Sequence, residues 1–114
     1  MKKNLLTIGD VSRKTGCSIK SLRYYDSIGV LKPAYVDPET GYRYYNFEQT
    51  RMVEIIQICI NLGIPLKDVK ELAIKDNNEM NYSDLIEYGR KITKEKIVNL
   101  QHSLNFLDSL QKET

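Results

Sequence analysis

Four residues, Thr15-Gly16-Cys17-Ser18, hold a helix stop and a helix start almost side by side. A glycine just past an amphipathic run takes the left-handed backbone that closes a helix, and a serine two residues later is a strong N-cap. The chain must therefore turn sharply between two short helices. That leaves a helix-turn-helix or an ordinary helical hairpin. The first helix opens at Thr7, with Asp10 as a capping-box partner, and runs through Ile8, Val11 and Ser12. The second runs from Ile19 to about Ser27, and Gly29 ends it.

The next segment favours the helix-turn-helix. Val30-Leu31-Lys32-Pro33 reads as extended chain and Ala34-Tyr35-Val36 as a strand. Asp37-Pro38-Glu39-Thr40-Gly41 carries turn chemistry, with Pro38 presetting one dihedral and Gly41 free to take positive φ. Tyr42-Arg43-Tyr44-Tyr45 is a second, aromatic-rich strand. A hairpin directly behind a helix-turn-helix is a wing. Asn46, with Gln49 three residues on, caps a third helix. Its apolar positions Val53, Ile56 and Ile60 step as a core-facing stripe. The helix ends at Leu62-Gly63, and Pro65 suits the first turn of a fourth through Leu66, Val69 and Leu72.

Residues 75–81, KDNNEMN, are polar and read as a linker between a 5–74 domain and a long helix over 82–112. Leu100, Leu104 and Leu107 step by four and three, Ile97 precedes them by three, and Ile86 and Thr93 share the seven-residue series of Leu100. No other segment remains to cover so long a seam, so a second copy of the chain is the expected cover, in a parallel or an antiparallel coiled coil. The fold class is thus mainly α with a small β-hairpin: a winged helix-turn-helix followed by a C-terminal coiled-coil dimerisation helix.

Charge and chemistry narrow the function. Residues 1–51 hold 9 Lys/Arg against 5 Asp/Glu, and residues 52–114 hold 8 against 10. A basic front half fits a phosphate-binding face. Cys17 and Cys59 lack the spacing of a zinc site or a disulfide framework, and the chain's one histidine is His102. A catalytic triad, a phosphate-cradling glycine loop and a metal cluster are all missing, which sets enzymes aside. No cofactor is expected. No apolar run approaches the ~20 residues of a membrane span, and a cytoplasmic setting is the expectation.

The motifs TIGDVSRKTGCSIKSLRYYDSIGVLKP, DPETGYRYYNFEQ and LGIPLKDVKEL resemble the MerR family of bacterial transcription regulators over residues 5 to about 73. The wing is most similar to that of the multidrug-sensing branch. The resemblance implies a homodimer joined by an antiparallel coiled coil. Such a dimer binds a pseudo-palindrome in double-stranded promoter DNA, between promoter elements, and distorts it. RNA polymerase is then reached indirectly, through the promoter DNA. A small architectural or excisionase-like protein on the same winged fold is the alternative, and the long seam argues against it. Metal-sensing relatives place cysteines around the dimerisation helix, whereas residues 75–114 have none. Multidrug-sensing relatives add a C-terminal ligand domain. Whether one belongs to this gene product is left open by a chain that stops at Thr114. Met80, Tyr82 and Tyr88 offer apolar surface for a small molecule, with ordinary interdomain packing as the competing reading.

The candidate DNA contacts follow from the second helix as recognition helix. Ile19 and Leu22 mark its buried stripe, and Lys20, Arg23, Tyr24 and Ser27 share the other side. Ser18, Lys20 and Ser21 occupy the first turn, Arg23 suits guanine or phosphate, and the Tyr24 hydroxyl suits a phosphate oxygen. Tyr25 is expected to pack its ring on the core while its hydroxyl reaches the surface. Strand alternation puts Arg43 and Tyr45 on one face and Tyr42 and Tyr44 on the other. Tyr42 and Arg43 in the wing, and Lys67 near the start of the fourth helix, complete the set. Some relatives carry a cation near the end of the third helix, where this chain has Cys59, Ile60 and Asn61.

Overall fold

The computed structural model describes residues 4–74 and 81–113. The element order is β1 (Leu6–Thr7), α1 (Ile8–Thr15), α2 (Ile19–Ser27), β2 (Tyr35–Val36), β3 (Arg43–Tyr45), α3 (Phe47–Asn61), α4 (Leu66–Ala73) and α5 (Ser83–Glu113).

Local cap chemistry sets the helix ends. Thr7 and Asp10 form the reciprocal capping box of α1. Gly16 closes α1 at φ 77° and returns its N–H to the Ser12 carbonyl at 2.8 Å. The Ser18 hydroxyl accepts from the Ser21 N–H at 3.0 Å to open α2, and Asn46 with Gln49 boxes the start of α3. Pro65 sits at the N-cap of α4 instead of inside its first turn. Its extended ψ of 146° suits a cap residue.

The wing is larger than the expected hairpin. β3 lies between β1 and β2 in an antiparallel three-stranded sheet, with Leu6 opposite Tyr45, Thr7 opposite Tyr44, Tyr35 opposite Tyr44 and Val36 opposite Arg43. β1 thus ties the start of α1 into the wing.

One core joins the elements. Val11, Leu22, Val30, Tyr45, Val53, Ile56, Val69 and Leu85 are fully buried or within 1% of it. Two stripe positions turn outward. Ile19, at 37% exposure, lies in the first turn of α2, where Ser18 and Lys20 are exposed as well. Ile60 is 36% exposed, and Cys59 takes the core position beside it. A 3.6-residue period brings position 59, three after Ile56, to the inner side as readily as position 60.

Tyr25 is also deeper than expected. It is only 5% exposed and its hydroxyl lies beside the Cys17 thiol, which leaves the phenol little surface to offer DNA. Burial, with the neighbouring Cys17, pushes the Tyr25 phenol up to about 12. Burial does the same for Tyr82, and for Tyr45 together with the Asp26 charge. A phenol whose proton is held to about 12 when folded, but to ~10 when unfolded, stabilises the fold fully below pH ~10. That stabilisation is lost as pH rises from there toward 12. Stability followed by denaturant titration should therefore fall across that window. Removing the phenol in Tyr45→Phe should flatten the slope.

The base of α5 is packed and the rest is not. Leu85 and Gly89 are buried and Ile92 is half-buried, while every described residue from Lys94 onward is exposed. A Cβ on Gly89 would stand 3.7 Å from the Cys59 Sγ, an ordinary contact. A mid-helix glycine costs about 0.5–1 kcal/mol relative to alanine. Gly89→Ala should raise stability by about that amount, read as a higher thermal midpoint by circular dichroism.

Candidate nucleic-acid interface

The exposed side of α2 carries polar groups with donor capacity left. The Ser18 hydroxyl donates to the Ser21 Oγ at 2.9 Å, which leaves the Ser21 proton available to an outside acceptor. Lys20 and Arg23 are exposed and Tyr24 is 52% exposed. The Ser27 hydroxyl is turned back onto the Tyr24 carbonyl at 2.7 Å.

The wing meets α2 across a cleft of about 290 Å³, lined by Thr7, Ile8, Arg23, Gly41, Tyr42, Arg43 and Tyr44. Tyr42 stands out at 66% exposure, while Tyr45 on the other face of the strand is fully buried. Arg43 shares the face of Tyr45 and so points toward α2. There its Nε donates to Asp26 Oδ2 at 2.7 Å, with the side chain one-third exposed. Lys32 approaches the other Asp26 oxygen at 3.6 Å. Two cationic side chains, Arg23 from α2 and Arg43 from the wing, therefore open on one concavity.

Lys67 is exposed on the first turn of α4, whose N-cap Pro65 makes no side-chain cap bond. It is not among the residues lining the cleft. Asn61 is exposed at the end of α3. Met80 lies outside the described residues. Tyr82 is 7% exposed and donates to the Val30 carbonyl at 3.2 Å, so it belongs to the core. Tyr88 is exposed at 37%.

Asp26, which the structure places against the Arg43 guanidinium, is a residue that sequence reasoning did not single out. Its one visible signal is an acid directly behind Arg23-Tyr24-Tyr25 in a basic stretch. Its partner lies 17 residues away, across a strand whose facing the sequence left open. The buried thiols of Cys17 and Cys59 are pushed up by burial, which suppresses the thiolate. Among the described residues, no group of three His, Cys, Asp or Glu is placed to hold a metal ion, and no helix is long and apolar enough to cross a membrane.

Residues 6–74 match the family described as MerR HTH family regulatory protein. The chain belongs to the MerR family. Along its length it is 38% identical, over 112 residues, to the multidrug-efflux transporter 1 regulator of Bacillus subtilis, covering 98% of this chain. It is 33% identical, over 109 residues, to the multidrug-efflux transporter 2 regulator of the same organism, covering 96% of this chain. The chain spans 37% of the length of each of these relatives. Among solved structures it resembles HiNmlR, a MerR family regulator lacking the sensor domain, bound to promoter DNA. The TM-score there is 0.74 at 27% identity, covering 92% of this chain and 86% of that one. MerR proteins are transcription regulators and not enzymes.

Proposed function

We propose that this chain is the DNA-binding and dimerising part of a transcription regulator. Two copies join through the apolar seam of α5 in an antiparallel coiled coil. The pair binds a pseudo-palindromic promoter site and distorts the DNA, acting on RNA polymerase through the altered promoter. The cleft between α2 and the wing carries this reading, because Arg23 and Arg43 open on it together. Arg23 sits where a recognition helix meets base edges or backbone, and Arg43 sits where a wing meets phosphate. Ser18, Lys20, Ser21, Tyr24, Tyr42 and Lys67 supply further backbone contacts. The excisionase-like alternative is disfavoured by the exposed leucine seam, which a monomeric architectural module does not need.

A footprint on the DNA upstream of its own gene tests the proposal. One protected dyad between the promoter elements is the expected outcome. Absence of protection at low salt, where the phosphate attraction is strongest, overturns it. Arg43→Ala should weaken binding to all sequences about equally and lower the salt slope by about 1. Arg23→Ala should in addition change which operator sequence is preferred, read by competition between duplexes.

A further inference from the structure

The Asp26 carboxylate sits on the groove-facing helix, only 17% exposed, and is bonded to the wing. On electrostatic grounds it is misplaced, since an acid beside the DNA backbone repels phosphate. The same carboxylate fixes the Arg43 guanidinium along its Nε edge. Because Nε is engaged, an anion meeting Arg43 is gripped by the two terminal nitrogens, whose direction the carboxylate sets. Lys32, 72% exposed, flanks the pair at 3.6 Å, so Asp26 joins the chain leaving α2 to the strand β3. Beneath them the Tyr45 hydroxyl is a buried polar atom with no hydrogen-bond partner, and Asp26 is the acidic group acting on it.

We infer that Asp26 is a positioning residue for DNA binding: it latches the wing to the recognition helix and aims Arg43 into the cleft shared with Arg23 and Tyr42. The inference rests on the DNA-binding reading for its functional consequence but not for the latch itself. The two alternatives differ in sign. If Asp26 acted only through its charge, neutralising it would tighten DNA binding. As a latch, its neutralisation loosens Arg43 and weakens binding to the operator.

Two measurements on the full chain separate these outcomes. The first needs no DNA. Nuclear magnetic resonance of the arginine Nε–H groups should show a slowly exchanging Arg43 signal in the wild type, lost in Asp26→Asn. An Arg43 Nε–H that exchanges as fast in the wild type as in the variant overturns the latch. The second is anisotropy of a labelled duplex covering the footprinted segment, with a random-sequence duplex as control. Asp26→Asn should weaken operator binding about tenfold, the scale of one charged hydrogen bond, and leave the random duplex bound as tightly or more tightly. Equal or tighter operator binding overturns the positioning role. In an Arg43→Gln background the same substitution should have no further effect on the operator, and a full tenfold loss there would show that Asp26 acts elsewhere. If the wild type binds no DNA while the Nε–H is protected and the variant loses it, the latch stands and the DNA-binding reading is what fails.

Discussion

Leu100→Asp combined with Leu107→Asp is expected to turn the proposed dimer into a monomer of 13.2 kDa and to abolish operator protection. Leu100 and Leu107 are 69% and 60% exposed, on a helix that has no cover within the described chain from Lys94 onward. With Ile97 at 61% and Leu104 at 50%, they form a stripe at three- and four-residue steps. Such a stripe suits the seam of a two-stranded coiled coil, as proposed for α5. Burying one leucine contributes about 1.5–3 kcal/mol. A two-fold seam counts each position twice, so the pair of substitutions removes roughly 6–12 kcal/mol. That range brackets the ~8 kcal/mol of a micromolar association, and the cost of burying carboxylates adds to it. Sedimentation at micromolar concentration reads the mass, and circular dichroism reports the fraying of the outer half of α5. The 6–74 region should stay folded, since its core includes no residue beyond Ile92. A double variant that remains dimeric, or a wild type that is monomeric, would sink the seam as the dimer interface.

The parts of this fold legible in the sequence are those fixed by short-range chemistry. Thr7 with Asp10, Ser18, and Asn46 with Gln49 announce helix starts, because a side chain three residues from an orphan N–H has few other partners. Gly16, Gly41 and Gly63 mark positive-φ stops and turns for the same local reason. What the sequence hid depends on long-range placement. The pairing of β1 with β3 joins residues nearly 40 apart, and nothing in Leu6-Thr7 alone selects that edge. Alternation correctly separated Arg43 and Tyr45 from Tyr42 and Tyr44, but not which pair faced inward. That single bit decides whether Arg43 is a free surface cation or the partner of Asp26. Tyr25 and Tyr82 show the same limit from the other side. A phenol is amphipathic, so the sequence alone leaves open whether its hydroxyl ends in water or against an interior group. Here Cys17 and the Val30 carbonyl are those interior groups.

Tyr82 provides the second large effect. Tyr82→Ala is expected to cost about 3–5 kcal/mol, as for other large aromatic truncations in a core. Tyr82→Phe should cost about 1–3 kcal/mol by leaving the Val30 carbonyl without its donor. Val30 is fully buried, so no water replaces the lost bond. Burial holds the Tyr82 phenol at about 12, so it stays a donor at any physiological pH. Its backbone matters as much: the Tyr82 carbonyl accepts the Ile86 N–H at 2.8 Å, the first turn of α5. One residue thus starts the seam helix and plugs into the chain leaving α2, where the Val30 N–H itself returns to the Tyr25 carbonyl at 2.9 Å. The bond ties the start of α5, which packs on α3 and α4, to the chain leaving α2. In the proposed dimer this tie helps hold the two recognition helices at a separation that must match half-sites about 34 Å apart or a multiple of that. The phenylalanine variant should therefore stay dimeric and folded yet protect the operator poorly. Denaturant unfolding measures the first effect and footprinting the second. A Tyr82→Phe protein with wild-type stability and wild-type protection would show that the Val30 bond is incidental and that ring packing alone makes the joint.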